Sequence, residues 1–482
     1  HVAFDTCLAA SLVLEGRGSA SLKALSQRYL QETMLSYDEV VTAQQLSDFS
    51  QVPLPLATQY AAADAHQTWA LVPILTQELA QQNLTTLYQQ IELPLIPVLL
   101  AMEQAGIYLD AAVLAQLGTQ VAQALVVLQA KIGAVAELPT SFNLNSPAQV
   151  AELLFTKLKL PAAKKHRKSG QLVTDQTVLT RLAKIHPVPS LILKYRELTK
   201  LKNTYIDQLP TYINPRTNKI HTNFSQIATT TGRLASAEPN LQNIPVAAGF
   251  GRQIRAAFKP DPGQVFLAAD YSQIELRVLA HLSGDQKLCQ AFLTGVDIHQ
   301  QTAAQIFTVP PAAVTAEQRQ VGKRINFSVL YGLTAYGLAQ DLDLSLQSAK
   351  QYIAAYFASY PGVAAWIEQT VATATAQGYC TTYWGRRRAL PALQERNQTL
   401  YNAGRRLAIN TPVQGTAAEI MKLGMLAVAQ QLKAAGLSAK MLLQIHDELL
   451  LTVPVAELER TMTLVQQALE GVVNWRVPLV VS

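Results

Sequence analysis

Cysteine is scarce: Cys7, Cys289 and Cys380 are the only three in 482 residues. With no CxxC pair and no even-numbered set, the chain argues against a disulfide framework or a thiolate zinc centre, and a reducing, cytoplasmic setting is expected. Uninterrupted apolar runs long enough to span a bilayer are also missing. The N-terminus lacks the charged, then apolar, then small-residue order of a secretion signal. A soluble protein with no membrane partner is the expectation. The chain opens at His1 within what reads as a strand and stops at VPLVVS without a terminal cap, so both ends read as trimmed.

What the chain has in quantity is apolar bulk. At 482 residues and 49% hydrophobic it exceeds the size of one core, so two or more domains are expected. The net charge of +6 allows a polyanionic partner without demanding one.

Asp270 closes the apolar run Val265-Phe266-Leu267-Ala268-Ala269, and His446-Asp447-Glu448 interrupts a second run between Ile445 and Leu449. Acids at the tips of neighbouring strands can converge, and hard divalent cations prefer such oxygen ligands. A single Asp at a strand end is more often a turn residue or helix cap. The stretch between the two acids changes that balance. In EQRQVGKRINFSVLYG, Arg319, Lys323, Phe327 and Tyr331 recur every fourth residue, a step that drifts only about 40° around a helix, so they share one face. That stripe carries two cations, two aromatics and no acid. It suits an anionic, planar ligand such as a nucleoside triphosphate. The first reading is a nucleotidyl transferase.

Here the sequence resembles the family A DNA polymerases, in particular the large fragment of the bacterial polymerase I group. The resemblance rests on TTTGRLASAEPNLQNIP (229–245), DYSQIELRVLAHLSGD (270–285), DIHQQTAAQIF (297–307), RQVGKRINFSVLYG (319–332), GYCTTYWGRRRALP (378–391), RRLAINTPVQGTAAEI (405–420) and QIHDELLLTVP (444–454), in the family's order. It implies an α+β right-hand fold preceded by a partial α/β ribonuclease-H-like exonuclease domain. Residues 1–88 would be that fragment, expected to be inactive because only Tyr60 and Asp64 match its last motif and the earlier acids would lie before His1. Residues 89–482 would be the polymerase domain. Within it a helical thumb would span about 92–225, a palm with an antiparallel sheet about 226–284 and 401–482, and helical fingers about 285–400. SFNLNSPAQVAELLF reads as a helix opening at Asn145 or Ser146 before Pro147.

The resemblance also implies roles. Asp270 and Asp447 would bind two Mg²⁺ ions, with Mn²⁺ able to substitute, the carbonyl of Tyr271 adding a ligand and Glu448 assisting. His299, Arg319 and Lys323 would hold the triphosphate, and Lys323 would donate to the leaving pyrophosphate. Gln273 would join the deoxynucleotide site, Phe327 would flank the sugar, Tyr331 would stack near the templating base, and Glu275 would sit under the 2′ carbon. Arg233, Asn240 and Gln242 would lie near primer and template; Arg406, Asn410 and Gln414 would read the minor groove, where every base pair offers acceptors. His446 would lie near the primer end. The clusters Lys164–Lys168, Arg386–Arg388 and Arg405–Arg406, the last where a helix should open, would contact DNA phosphates, as would Lys194, Arg196, Lys200 and Lys202.

One departure is visible: Ala247-Ala248-Gly249-Phe250 stands where the family has a basic residue and acids. The expected activity is template-directed addition of deoxynucleotides to a primer, in replication or repair gap filling, by a monomer. Two alternatives remain. A single-subunit RNA polymerase is opposed by a bulky acid, Glu275, beside the 2′ position; a silent primer-template binding module is opposed by the two intact acids.

Overall fold

The computed structural model describes residues 2–139, 142–161, 170, 172–245, 249–332 and 334–482. The Lys164–Lys168 cluster and Ala247-Ala248 lie outside these. The chain begins with helices α1 (Thr6–Val13), α2 (Leu54–Gln81) and α3 (Leu93–Ala105). Next come β1 (Ile107–Leu109), α4 (Ala111–Ala136), α5 (Gln176–Ala183), α6 (Pro187–Leu201), β2 (Ile213–Asn214), β3 (Lys219–Ile220) and β4 (Phe258–Lys259). After β5 (Gln264–Asp270) follow α7 (Ile274–Ser283), α8 (Ile298–Phe307), α9 (Ala316–Leu330) and α10 (Pro361–Gln377). The rest comprises β6 (Tyr379–Thr381), β7 (Arg387–Ala389), α11 (Gln398–Ala434), β8 (Lys440–Ile445), β9 (Glu448–Pro454) and α12 (Leu458–Glu470). Further helices, among them Leu346–Ser359, two short strands and several helical turns join them.

These elements form two compact units, one of residues 1–104, 224–235 and 263–482, the other of 105–223 and 236–262. The division differs from the boundaries expected at 92 and 226. Leu95, Val98, Leu99 and Met102 of α3 are buried in the core that also holds Leu449, Leu451 and Val453 of β9. Apolar spacing marks a helix but does not say which core receives it.

In the first unit, the expected opening strand is replaced by a helix. Asp5 caps α1 by accepting from the Leu8 amide at 2.8 Å, which satisfies one of the helix's unpaired N–H groups. The sheet has the order β8-β9-β5 and is antiparallel throughout. Leu449, Leu451 and Val453 are fully buried; Thr452 and the consecutive Met441, Leu442, Leu443 and Gln444 are buried as well, so burial does not simply alternate along these strands. Each of the apolar side chains contributes about 1.5–3 kcal/mol. Between 285 and 400 the described chain is largely helical, the β6–β7 hairpin excepted.

The Arg386–Arg388 cluster does not form a phosphate-binding patch. Arg386 is buried, bonded to Glu92 and, through Nε at 3.0 Å, to Glu419. Lys422, also buried, donates to the same Glu92 oxygen at 2.6 Å. Burial alone would raise the Glu92 carboxyl, but Lys422 and Arg386 override it and hold it at about 2. Arg387 donates to the Gln82 carbonyl and pairs with Glu15, and Arg388 donates to Thr411. A charge run shows cations; it does not show the acids that fold brings to them.

The second unit carries a small antiparallel sheet, β2-β3-β1-β4. Ser146 caps a short helix with Pro147 in its first turn, as expected. Leu114, Leu117, Val121, Leu128 and Ile132 form the buried stripe of α4. By length and composition α4 could nevertheless cross a bilayer, with mean hydropathy 1.6 over an 18-residue window that is 22% buried. Gln116, Gln120 and Gln123 interrupt it, which is why no uninterrupted run is visible in the sequence. Of the supposed phosphate contacts, Lys202 pairs with Asp207 at 2.8 Å and Arg196 donates to Thr174, whereas Lys194 and Lys200 are exposed.

Candidate nucleotidyl-transfer site

Antiparallel pairing brings the end of β5 to the start of β9, so Asp270 stands opposite Glu448 and Asp447 is the turn residue just before it. The turn is made at His446, which is exposed and has φ 53°, and whose carbonyl accepts from the Gln444 side-chain Nε2. Tyr271 N–H donates to the Asp447 carbonyl at 3.0 Å. On the other edge, Asp270 exchanges two 3.0 Å backbone bonds with Ser482, and Ser272 N–H donates to Val480 at 2.8 Å. The backbone of Asp270 is thus held between two strands. The Tyr271 side chain is buried and donates to the Leu469 carbonyl at 2.7 Å, so only its backbone faces the question of a ligand.

Burial raises the Asp447 carboxyl and Asp270 raises it further, against Arg233; burial also raises Asp270. Two neighbouring carboxylates whose charged forms burial disfavours make a hard-oxygen donor set suited to Mg²⁺, which ordinarily keeps waters and substrate oxygens as its other ligands. Among the described residues no group of three or more His, Cys, Asp or Glu side chains gathers as a metal cage.

Gln273, at φ 54°, turns the chain from β5 into α7 and sets Glu275 in the first helical turn. Glu275 is 6% exposed. Its Oε1 accepts from Arg233 Nη2 at 2.6 Å and its Oε2 from the Tyr331 hydroxyl at 3.4 Å. Burial raises Glu275 most, Arg233 opposes, and Asp447 adds to the rise. Arg233 is placed by its loop: Thr229 donates to its carbonyl at 2.7 Å, and Gly232, at φ 81°, lies where a methyl would meet Arg386 Nε at 2.4 Å. That contact ties the buried ion cluster to the site.

Helix α9 opens with a reciprocal capping box between Thr315 and Gln318. It presents Lys323 and, just past its end, Tyr331 to solvent, with Phe327 half-buried between them. The stripe itself carries no acid, but one reaches it from a neighbouring element: Arg319 Nε pairs at 2.7 Å with Asp297, the N-cap of α8. His299, on that same helix, is only 3% exposed and 5.7 Å from the Phe327 ring. Burial lowers its pKa to about 4, with Arg319 and Lys323 reinforcing and Asp297 opposing.

Arg406, Asn410 and Gln414 follow one another on α11, the first exposed and the others half-buried. Gly332 comes so close that a methyl there would meet Arg406 Cγ at 2.5 Å, which brings this face to the end of α9. Arg405 and Arg406 lie well inside α11 rather than at its start, and Arg405 pairs with Glu368 at 2.9 Å. Asn240 and Gln242 belong to the second unit, where Asn240 accepts from the Gln242 amide at 3.0 Å and Gln242 from Ser236 at 3.2 Å. Sequence reasoning missed Asp297 and Asn326. An Asp before a helix that carries His299 was a visible cap signal, and Asn326 was a polar residue between the apolar Ile325 and Val329.

Comparison with known proteins bears on this geometry. Residues 111–482 match the model of "DNA polymerase family A", and residues 2–80 that of "3′-5′ exonuclease". The chain is 47% identical over 402 residues to "DNA polymerase I, thermostable" of Thermus thermophilus, covering 83% of this chain and 48% of that protein. To "DNA polymerase I" of Pseudomonas aeruginosa it is 42% identical over 486 residues, covering 100% of this chain and 53% of that one. The chain therefore spans about half the length of these curated relatives. A solved structure described as the POL domain of Pol1 from M. smegmatis, in complex with DNA primer-template and dNTP, superposes with TM-score 0.90 and 37% identity. It covers 99% of this chain and 80% of the other.

Proposed function

We propose that this chain, which belongs to DNA polymerase family A, is a template-directed DNA polymerase that extends a primer 3′ end with deoxynucleotides. The observation that carries the reading is the register of β5 and β9, which sets Asp270 against Glu448 and so puts Asp447 beside it, with Glu275, Arg233 and Tyr331 alongside. The solved neighbour's primer-template and dNTP supply the substrate class. In this reading the first unit holds palm and fingers, the second unit the thumb.

Asp270, Asp447 and the carbonyl of Tyr271 would hold two Mg²⁺ ions, or Mn²⁺ in their place. Bound there, the ions would lower the pKa of the primer 3′ hydroxyl and stabilise charge on the leaving group. The 3′ hydroxyl loses its proton to solvent, the new bond joins that oxygen to the α-phosphorus, the bond to the bridging oxygen breaks, and pyrophosphate departs. Lys323, exposed on α9, donates a proton to the pyrophosphate, while Arg319 and His299 bind its oxygens. Phe327 and Tyr331 bracket sugar and template base. Glu275 fills the space a 2′ hydroxyl would need, and Arg406, Asn410 and Gln414 donate to minor-groove acceptors. A place in replication or repair gap filling follows from such chemistry.

Primer extension with dNTPs or NTPs, with and without Mg²⁺, tests the reading. Extension is expected with dNTPs and Mg²⁺ only. Equal use of NTPs would favour an RNA polymerase, and template binding without extension a silent module.

A further inference from the structure

Asn326 is wholly buried in α9 and bonded on all sides. Its amide nitrogen approaches the Ile298 carbonyl at 3.4 Å and His299 Nδ1 at 3.1 Å. Its amide oxygen accepts from the Thr302 hydroxyl at 3.1 Å, and Thr302 Oγ1 lies 3.2 Å from the Tyr360 hydroxyl. Thr302 and Tyr360 are also fully buried.

The direction of each bond follows from one group that cannot change role. The Ile298 carbonyl only accepts, so the Asn326 edge facing it must be the NH₂ group. That same NH₂ meets His299 Nδ1, which must therefore accept and carry no proton. Thr302 has one hydroxyl proton, and it goes to the Asn326 oxygen; Tyr360 then donates to Thr302. The ring proton of His299 is left at Nε2, for which no protein partner exists among the described residues.

We propose that Asn326 is a positioning residue that fixes the His299 tautomer, so that Nε2–H is presented as a donor to the triphosphate. The role rests on the reading of His299 as a triphosphate ligand. Three charged groups face His299: Asp297 from the cap of its own helix, and Arg319 and Lys323 from α9. Asp297 is engaged by Arg319 at 2.7 Å, which weakens its pull on the imidazole. The tautomer needs Asn326 because burial leaves His299 uncharged: a neutral ring has one proton, and without a partner at Nδ1 it would divide between both nitrogens.

The test reads the imidazole nitrogens by long-range ¹H–¹⁵N spectroscopy, the His299 signals being identified by their loss in His299→Gln. In the parent, Nδ1 is expected unprotonated and Nε2 protonated from pH 6 to 8. A protonated Nδ1 in the parent overturns the proposal, with no variant required. In Asn326→Asp the acceptor-only carboxylate should move the proton to Nδ1 or charge the ring; in Asn326→Leu, which keeps the volume, the two tautomers should mix. An unchanged His299 spectrum in both variants also overturns it. Where the proton moves to Nδ1, the KM for dNTP should rise on the order of tenfold in Asn326→Asp with kcat much less affected, as expected for losing one bond to a charged ligand. If His299→Gln leaves KM and pyrophosphate inhibition unchanged, His299 is not a triphosphate ligand; the spectra still decide the tautomer by themselves.

Discussion

Two groups of charged residues in the first unit behave in opposite ways. Glu92 is as buried as any group in the protein, yet two cations hold its carboxyl at about 2. Asp447 is less buried, and its carboxyl is raised, by burial first and by Asp270 next. Within the cluster itself Glu419 is also raised by burial, because Arg386 reaches one of its oxygens while Oε2 has no partner. What decides is thus direct bonding to cations rather than depth: Lys422 and Arg386 both bond Glu92, whereas only Arg386 bonds Glu419. Where the fold completes the pairing, the charges hold structure; where two acids are left facing each other, the missing positive charge has to arrive with a ligand.

The sharpest way to break this comparison is to remove an acid from each side. Asp447→Ala should lower primer extension on the order of a thousandfold while leaving primer-template affinity within a few-fold, since the duplex is held mainly elsewhere. Extension at a tenth of the parent rate would end the metal-ligand assignment. On the structural side, Lys422→Met should cost about 3 kcal/mol in denaturant unfolding, because Glu92 loses a buried partner. A loss below 1 kcal/mol would mean the cluster is not a matched set.

Acid titration probes the same contrast. Glu92 has a folded value below its unfolded one, so its contribution is present above pH 4.5 and is lost as pH falls towards 2. The loss is on the order of 3 kcal/mol; raised Glu419 acts above pH 4.5, where protonating it relieves its buried charge, and so leaves the lower window to Glu92. Glu92→Gln should flatten the stability curve between pH 4.5 and 2, as followed by circular dichroism; an unaltered slope would assign acid unfolding to other groups.

Glu275 sits between the two behaviours, with one guanidinium and a neighbouring acid. Glu275→Ala should lower discrimination against ribonucleotides by roughly 1–3 kcal/mol, read as the ratio of kcat/KM for the two sugars, which cancels general damage. A constant ratio would make Glu275 structural. The smallest effect is expected from Asp447→Asn without divalent metal. Because the folded carboxyl is raised, its charge opposes folding at neutral pH, so the amide should raise the unfolding midpoint slightly. Added Mg²⁺ should stabilise only the parent.

What was legible in the sequence was whatever is local. The apolar runs ending at Asp270 and flanking His446-Asp447-Glu448 marked the strands, and four-residue spacing placed Lys323, Phe327 and Tyr331 on one side of α9. What was hidden depended on meetings between distant segments. Asp297 reaches Arg319 across a loop, and Arg386 looks like a surface cation until Glu92 and Glu419 are brought to it. The compact units likewise follow from which core buries α3, a fact that no window of sequence contains.

The ion cluster also bears on the order in which the chain assembles. Glu92 stands 294 residues from Arg386 and 330 from Lys422. Closing so long a loop costs little more free energy than closing one half its length, but contacts of this separation are reached slowly. Glu92 is therefore expected to gain its cations after the more local contacts have formed. Bonds made that late are absent when the barrier is crossed, so they act as a latch: weakening them hastens unfolding and leaves the folding rate almost unchanged.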